Sequence, residues 1–151
     1  MKNYKLFKHD DGRIEAVKQG WSWPGFVLEI FGLGFIWGLV KKLWFVAILL
    51  IIFRIALFII SDSVSPDMDG YTSSYQYQNA LNTALMWSIV FFIVQLAVAI
   101  VIGVQGNSLR EKNLISKGYE LVGTAEALNP DMAIFEMKKA ESQHHDIVSH
   151  L

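Results

Sequence analysis

The 151-residue chain contains no cysteine, which excludes disulfides, thiolate nucleophiles and cysteine-based zinc or iron–sulfur sites, while leaving the redox compartment open. Charge is sparse: 18% of residues are Asp, Glu, Lys or Arg, and the formal net charge is −1. Without a basic excess nothing concentrates phosphate backbones, so nucleic acid is not an expected partner. There are only three prolines. What is present is apolar. Hydrophobic residues make up 53% and the mean hydropathy is +0.35, above an ordinary soluble domain, which points to a membrane protein. The length admits one compact domain at most.

The first twenty residues are polar, without the charged-then-apolar order of a cleaved signal peptide, so the apolar segments are expected to belong to the mature protein. Three such stretches follow. Residues 84–105 carry no charge and as a helix reach about 33 Å, enough to cross a hydrocarbon core of about 30 Å. Residues 43–60 reach about 27 Å and hold one charge, Arg54. Residues 26–40 are short, contain Glu29 and are broken by Gly32, Gly34 and Gly38 behind Pro24 and Gly25, which suits an interfacial or re-entrant segment (residues 21–42) better than a crossing.

Positive charge decides the topology, because Lys and Arg near spans favour the cytoplasmic side. Lys2, Lys5, Lys8, Arg13 and Lys18 precede the first stretch, Lys41 and Lys42 follow it, and Arg110, Lys112, Lys117, Lys138 and Lys139 follow the third. Between Ser61 and Thr83 there is none, only Asp62, Asp67 and Asp69. Two crossings put all twelve cations on one side; three crossings divide them. The expected topology has both termini in the cytoplasm and residues 61–83 as the single external loop. Trp21, Trp23 and Trp44 at the cytoplasmic ends, and Tyr71, Tyr75, Tyr77 and Trp87 at the external end, suit aromatic belts. Trp37 fits packing equally well.

The polar ends predict a small α+β module. Two β-favouring runs around Asp11-Gly12 predict a hairpin, Tyr4 to His9 with Arg13 to Lys18, turning through a type I′ pair with positive φ at both residues. A lone hairpin needs further cover. The tail supplies a short helix from Asn107 to Lys117 stopped by Gly118, a strand over Tyr119 to Ala127, and a helix from about Pro130 to Glu141 capped by Asn129. A hairpin turn at Asn129-Pro130 competes with that last helix, and residues 142–151 are expected to fray.

The run Gly12 to Phe26 (GRIEAVKQGWSWPGF), the aromatic, glycine-containing stretch ending in Lys41-Lys42-Leu43-Trp44, the Gly106-Asn107…Arg110-Glu111-Lys112-Asn113-Leu114 segment, and Lys117 to Ile134 (KGYELVGTAEALNPDMAI) resemble a bacterial membrane-protein family, domain of unknown function 2628. The likeness extends to about residue 137. The resemblance implies a bacterial inner-membrane location and this architecture, and carries no catalytic residue. Where that family tends to have consecutive phenylalanines after the proline, this chain has Phe26-Val27-Leu28-Glu29.

Among candidate functional residues Arg54 is the sharpest. It sits about 17 Å into its span, where a charge costs roughly 2.5–3.5 kcal/mol on insertion scales. Gln95 should lie at similar depth and could hydrogen-bond it; Asp62 is the nearest acid along the chain, and Glu29 could approach if the first stretch dips inward, although a headgroup-level contact is the expectation for Glu29. Arg54 then makes either a structural interhelical contact, or a snorkelling contact, or a lipid, ion or partner site. Gly34 and Gly38 form a G-x-x-x-G spacing that suits either helix association or bending. His144, His145 and His150 with Asp146 lack a rigid frame to hold a metal. Residues 103–107 (GVQGN) match no phosphate loop, and no H-E-x-x-H or nucleophile elbow occurs. The expected function is non-enzymatic and cofactor-free. The chain acts through contacts with membrane lipids and a membrane-protein partner, as accessory subunit, scaffold or modulator. The alternative is self-assembly as a small channel or protective protein.

Overall fold

The computed structural model describes residues 1–66 and 73–149. In chain order the elements are β1 (Lys2–His9), β2 (Ile14–Lys18), α1 (Trp23–Ile30), α2 (Gly34–Val40), α3 (Trp44–Val64), α4 (Ser74–Ile115), β3 (Tyr119–Ala127) and α5 (Pro130–Ser149). They fall into two units, residues 1–22 with 104–151, and residues 23–103.

The first unit holds an antiparallel three-stranded sheet in the order β2-β1-β3. The β1–β2 turn is not type I′. Gly12 N–H donates to the His9 carbonyl at 2.9 Å and His9 N–H to the Arg13 carbonyl at 2.9 Å, and of the turn residues only Gly12 has positive φ. That is a three-residue loop closed by a glycine bulge, which spares Asp11 the left-handed conformation. Asp11 instead accepts from the Arg13 backbone N–H at 3.0 Å and from Arg13 Nε at 2.7 Å. The guanidinium of Arg13, followed by its backbone N–H, holds the Asp11 carboxyl down at about 2 from an ordinary 3.8, and Asp11 in turn raises the Arg13 pKa.

Alternation gives the sheet two buried faces. Tyr4, Leu6 and Ala16 pack with Ala127 and with Ala133 of α5, while Phe7 and Val17 pack with Leu114 and Tyr119. Burying Phe7 and Val17 completely is worth about 1.5–3 kcal/mol each. Polar contacts follow the same alternation: Lys5 Nζ meets Glu111 at 2.7 Å, Arg110 meets Glu15 at 2.8 Å, and Lys8 reaches Glu141 of α5 at 2.8 Å. Between Leu6 and Phe7 the β1–β3 register skips Val122. The bulge exchanges the faces, so Tyr119 joins the Phe7 cluster while Ala127 joins the Tyr4 cluster. Asn129 caps α5 through its Oδ1, which accepts from Met132 N–H at 2.8 Å, so the competing hairpin turn at Asn129-Pro130 does not form. The helix runs on to Ser149, past the expected end at Glu141.

Three further expected boundaries move. The separate helix from Asn107 does not exist: α4 runs unbroken through Asn107, because no proline or left-handed residue interrupts it before Gly118 (φ +84). Instead of capping, Asn107 Nδ2 donates to the Gly20 carbonyl at 2.8 Å. The loop expected over 61–83 is shorter at both ends. α3 continues to Val64, with Ser63 and Ser65 hydroxyls donating to carbonyls four residues back, and stops where Ser65 is driven extended by Pro66. α4 starts at Ser74, with Ser73 Oγ accepting from Gln76 N–H at 3.3 Å. Asp67, Asp69 and Tyr71 lie outside the described residues, as do His150 and the side chains of His144, His145 and Asp146.

α3, in the second unit, and α4, which begins in it and ends in the first, are each long and apolar enough to cross a membrane. Their 21 and 42 residues correspond to about 32 and 63 Å. Residues 23–40 form two short helices turned at Gly32 rather than one continuous stretch. Gly32 has φ +77, its N–H donates to the Glu29 carbonyl at 2.9 Å, and Leu33 N–H donates to the Leu28 carbonyl at 2.7 Å, a Schellman closure of α1. The end of α2 repeats the pattern with Lys42 (φ 58) in the left-handed position and Leu43 N–H donating to the Gly38 carbonyl at 2.8 Å. α2 packs on α3 and on α1. Trp37 is buried, so packing is its role.

Candidate functional site

Arg54 lies midway along α3 and would be expensive in an apolar setting without a partner. Its partner is Glu29, near the end of α1. Arg54 Nη2 lies 3.3 Å from Glu29 Oε1 and donates to the Glu29 carbonyl at 3.2 Å. Gln95 of α4 reaches the same two oxygens, donating from Nε2 to Oε1 at 3.0 Å and to the carbonyl. Glu29 is 1% exposed and Gln95 8%, whereas the Arg54 side chain keeps 30%. One acid thus joins three helices. The contact expected between Arg54 and Gln95 is replaced by convergence of both on Glu29, which the turn at Gly32 brings against the middle of α3. Asp62 is not among the partners of Arg54.

The glycines make this approach possible. A Cβ on Gly34 would collide with the Glu29 carboxylate, and one on Gly32 would stand 2.9 Å from Arg54 Cζ and Nη2. A Cβ on Gly38 would meet the backbone of Ala47 on α3 at 3.2 Å. The G-x-x-x-G pair is therefore spent inside the chain, Gly34 on seating Glu29 and Gly38 on seating α2 against α3. Gly32, which sequence reasoning counted only as a breaker, is the residue it missed. Its signal was a glycine three positions after the lone acid of an apolar stretch, where a helix closing on that acid needs positive φ.

The cluster is not saturated. Glu29 Oε2, Arg54 Nε and Gln95 Oε1 are buried without a hydrogen-bond partner. Beside it a groove of about 440 Å³, open on its outer side where Phe58 and Phe92 are exposed, is lined by Arg54, Leu57, Phe58 and Ser61 of α3 and by Phe91, Phe92 and Gln95 of α4. Among the described residues no group of three or more His, Asp or Glu could hold a metal ion.

No curated protein and no solved structure matches the chain. One family model does, described as "Protein of unknown function (DUF2628)" and aligned over residues 4–115. The match takes in most of β1, then β2, both short helices, α3 and α4, hence Glu29, Arg54 and Gln95, and ends before β3 and α5. The chain belongs to the DUF2628 family.

Proposed function

We propose that the chain is a non-enzymatic integral membrane protein of the bacterial inner membrane, acting as an accessory subunit or scaffold through protein and lipid contacts. α3 and α4 cross, α1–α2 forms a re-entrant hairpin held at mid-depth by Glu29, and both termini lie in the cytoplasm. The observation that carries the membrane reading is uncovered apolar surface. Phe45, Ile52 and Phe58 on α3, and Met86, Ile89, Phe92 and Ile93 on α4, are exposed. Water would penalise each such side chain by about 1.5–3 kcal/mol, and a bilayer removes the penalty. The mid-helix cluster supports the same reading, since every charge in it is matched within the chain.

For the contact role the support is β3, a nine-residue outer strand with Leu121 and Val122 exposed at the bulge. Unpaired backbone groups along such an edge are a template for a partner strand.

The lack of cysteine makes topology directly testable. Single cysteines replacing Lys2, Ser73 and Ser142 are exposed to a membrane-impermeant maleimide in intact cells and after lysis. Labelling of Ser73→Cys alone in intact cells is expected, and labelling of all three would refute the orientation. Extraction into lipid nanodiscs with mass measurement of the particle then tests the contact role. A second protein at fixed ratio, lost in Val122→Lys, is the expected result; particles built only from copies of this chain would replace it with self-assembly.

A further inference from the structure

We infer that the groove between α3 and α4 is a binding site for an uncharged, lipid-soluble molecule with a hydroxyl head, seated on Arg54 and Gln95; the inference rests on the membrane reading above. Three observations meet here. The volume, about 440 Å³, falls within the range of about 300–1,000 Å³ typical of small-molecule sites. Leu57, Phe58, Phe91 and Phe92 make its walls apolar, and Arg54, Gln95 and Ser61 are its polar groups. The two residues it shares with the buried cluster carry two of that cluster's three unpartnered side-chain atoms, Arg54 Nε as donor and Gln95 Oε1 as acceptor.

The chemistry of the head follows from that inventory. Of the guanidinium nitrogens only Nη2 has a partner among the described residues, so donors are in excess and an acceptor oxygen is called for. Gln95 Oε1 requires a donor, which a carbonyl or ether cannot supply. Both atoms are buried, so with a small turn of the two side chains toward the groove a hydroxyl does both, accepting from Arg54 and donating to Gln95. Charge argues the same way. Arg54 is already balanced by Glu29 at 3.3 Å, so an added carboxylate or phosphate would sit in a low-dielectric site with a net negative charge and no cation of its own. Ser61 lies seven residues, about 10 Å, further along α3, so the apolar body extends between the phenylalanines toward the end of the helix.

The test uses the full chain in nanodiscs and three photoactivatable probes that share one long diazirine-bearing alkyl chain, ending in a hydroxyl, a carboxylate or a methyl group. Crosslinked peptides are read by mass spectrometry. The hydroxyl probe is expected to label the Phe58 and Phe91–Phe92 peptides about tenfold more than the methyl probe, the worth of one well-made charge-assisted hydrogen bond. Leu57→Trp, which fills the groove and leaves Glu29, Arg54 and Gln95 in place, is expected to abolish that excess, and Phe45→Trp, an exposed position remote from the groove, to preserve it. Equal labelling by hydroxyl and methyl probes would mean bulk acyl chains only and would overturn the site. Preferential labelling by the carboxylate would overturn the uncharged head. Failure of the chain to enter nanodiscs at all would instead refute the membrane reading on which the site depends.

Discussion

Removing the charge of Glu29 while keeping its shape isolates the energetics of the buried cluster. In Glu29→Gln the backbone carbonyl still accepts from Arg54 and Gln95, but the cation at mid-α3 loses its counter-charge. Breaking a fully buried pair from one side costs about 3–5 kcal/mol. Arg54 keeps 30% of its side chain exposed, which places the expectation at the lower end, about 3 kcal/mol or a hundredfold in the folding equilibrium. Arg54→Met is likewise destabilising, by about 3 kcal/mol, because it leaves the buried Glu29 carboxylate without its cation. The double variant, with neither charge, is expected within about 1 kcal/mol of the parent, since neutral replacements of a buried pair are often tolerated. The readout is reversible unfolding in bicelles by detergent titration, followed through the fluorescence of Trp37 and Trp44. A coupling energy of at least about 2 kcal/mol is expected, and single effects that simply add to within about 0.5 kcal/mol would refute the pairing.

Gly34→Ala is expected to weaken the same unit by about 1–3 kcal/mol, because the new methyl occupies the place of the Glu29 carboxylate, and thermal unfolding in nanodiscs would detect it. Asn129→Ala should cost about 1 kcal/mol by removing the cap of α5, read as faster amide exchange at Met132 and Ala133. The Asp11 carboxyl is lower in the fold, about 2, than its ordinary 3.8, so its ionised form favours the native hairpin. That contribution is complete above pH 3.8 and lost as the pH falls through about 2. An NMR titration of Asp11 and Gly12 should show this midpoint, and Asp11→Asn should abolish the titration.

Elements set by local chemistry were legible in the sequence. The strand at Tyr119 to Ala127 has the expected bounds, the hairpin strands are close to theirs, and the Asn129 cap with Pro130 behind it places the start of α5. Each depends on residues within a few positions of one another. Boundaries that depend on what does not happen locally were not legible: Asn107 is a good cap, but nothing forces a helix to stop there, so α4 continues. The type of turn at Asp11 was not legible, because three-residue and two-residue loops share the same Asp-Gly signal and only the closing hydrogen bonds tell them apart. For the candidate site, the costly residues Arg54, Gln95 and Glu29 were visible as polar groups in apolar runs. Their meeting point was not, because it depends on the left-handed turn at Gly32 and on two contacts far apart along the chain.

Those separations have a consequence for biogenesis. Glu29 is 25 residues ahead of Arg54 and 66 ahead of Gln95. As the chain leaves the ribosome, the acid emerges well before the cation that balances it and the amide that also holds it, and the last of these emerges only when α4 is half made. The cluster therefore closes late, and the first apolar segment synthesised is the last to gain its full set of polar contacts.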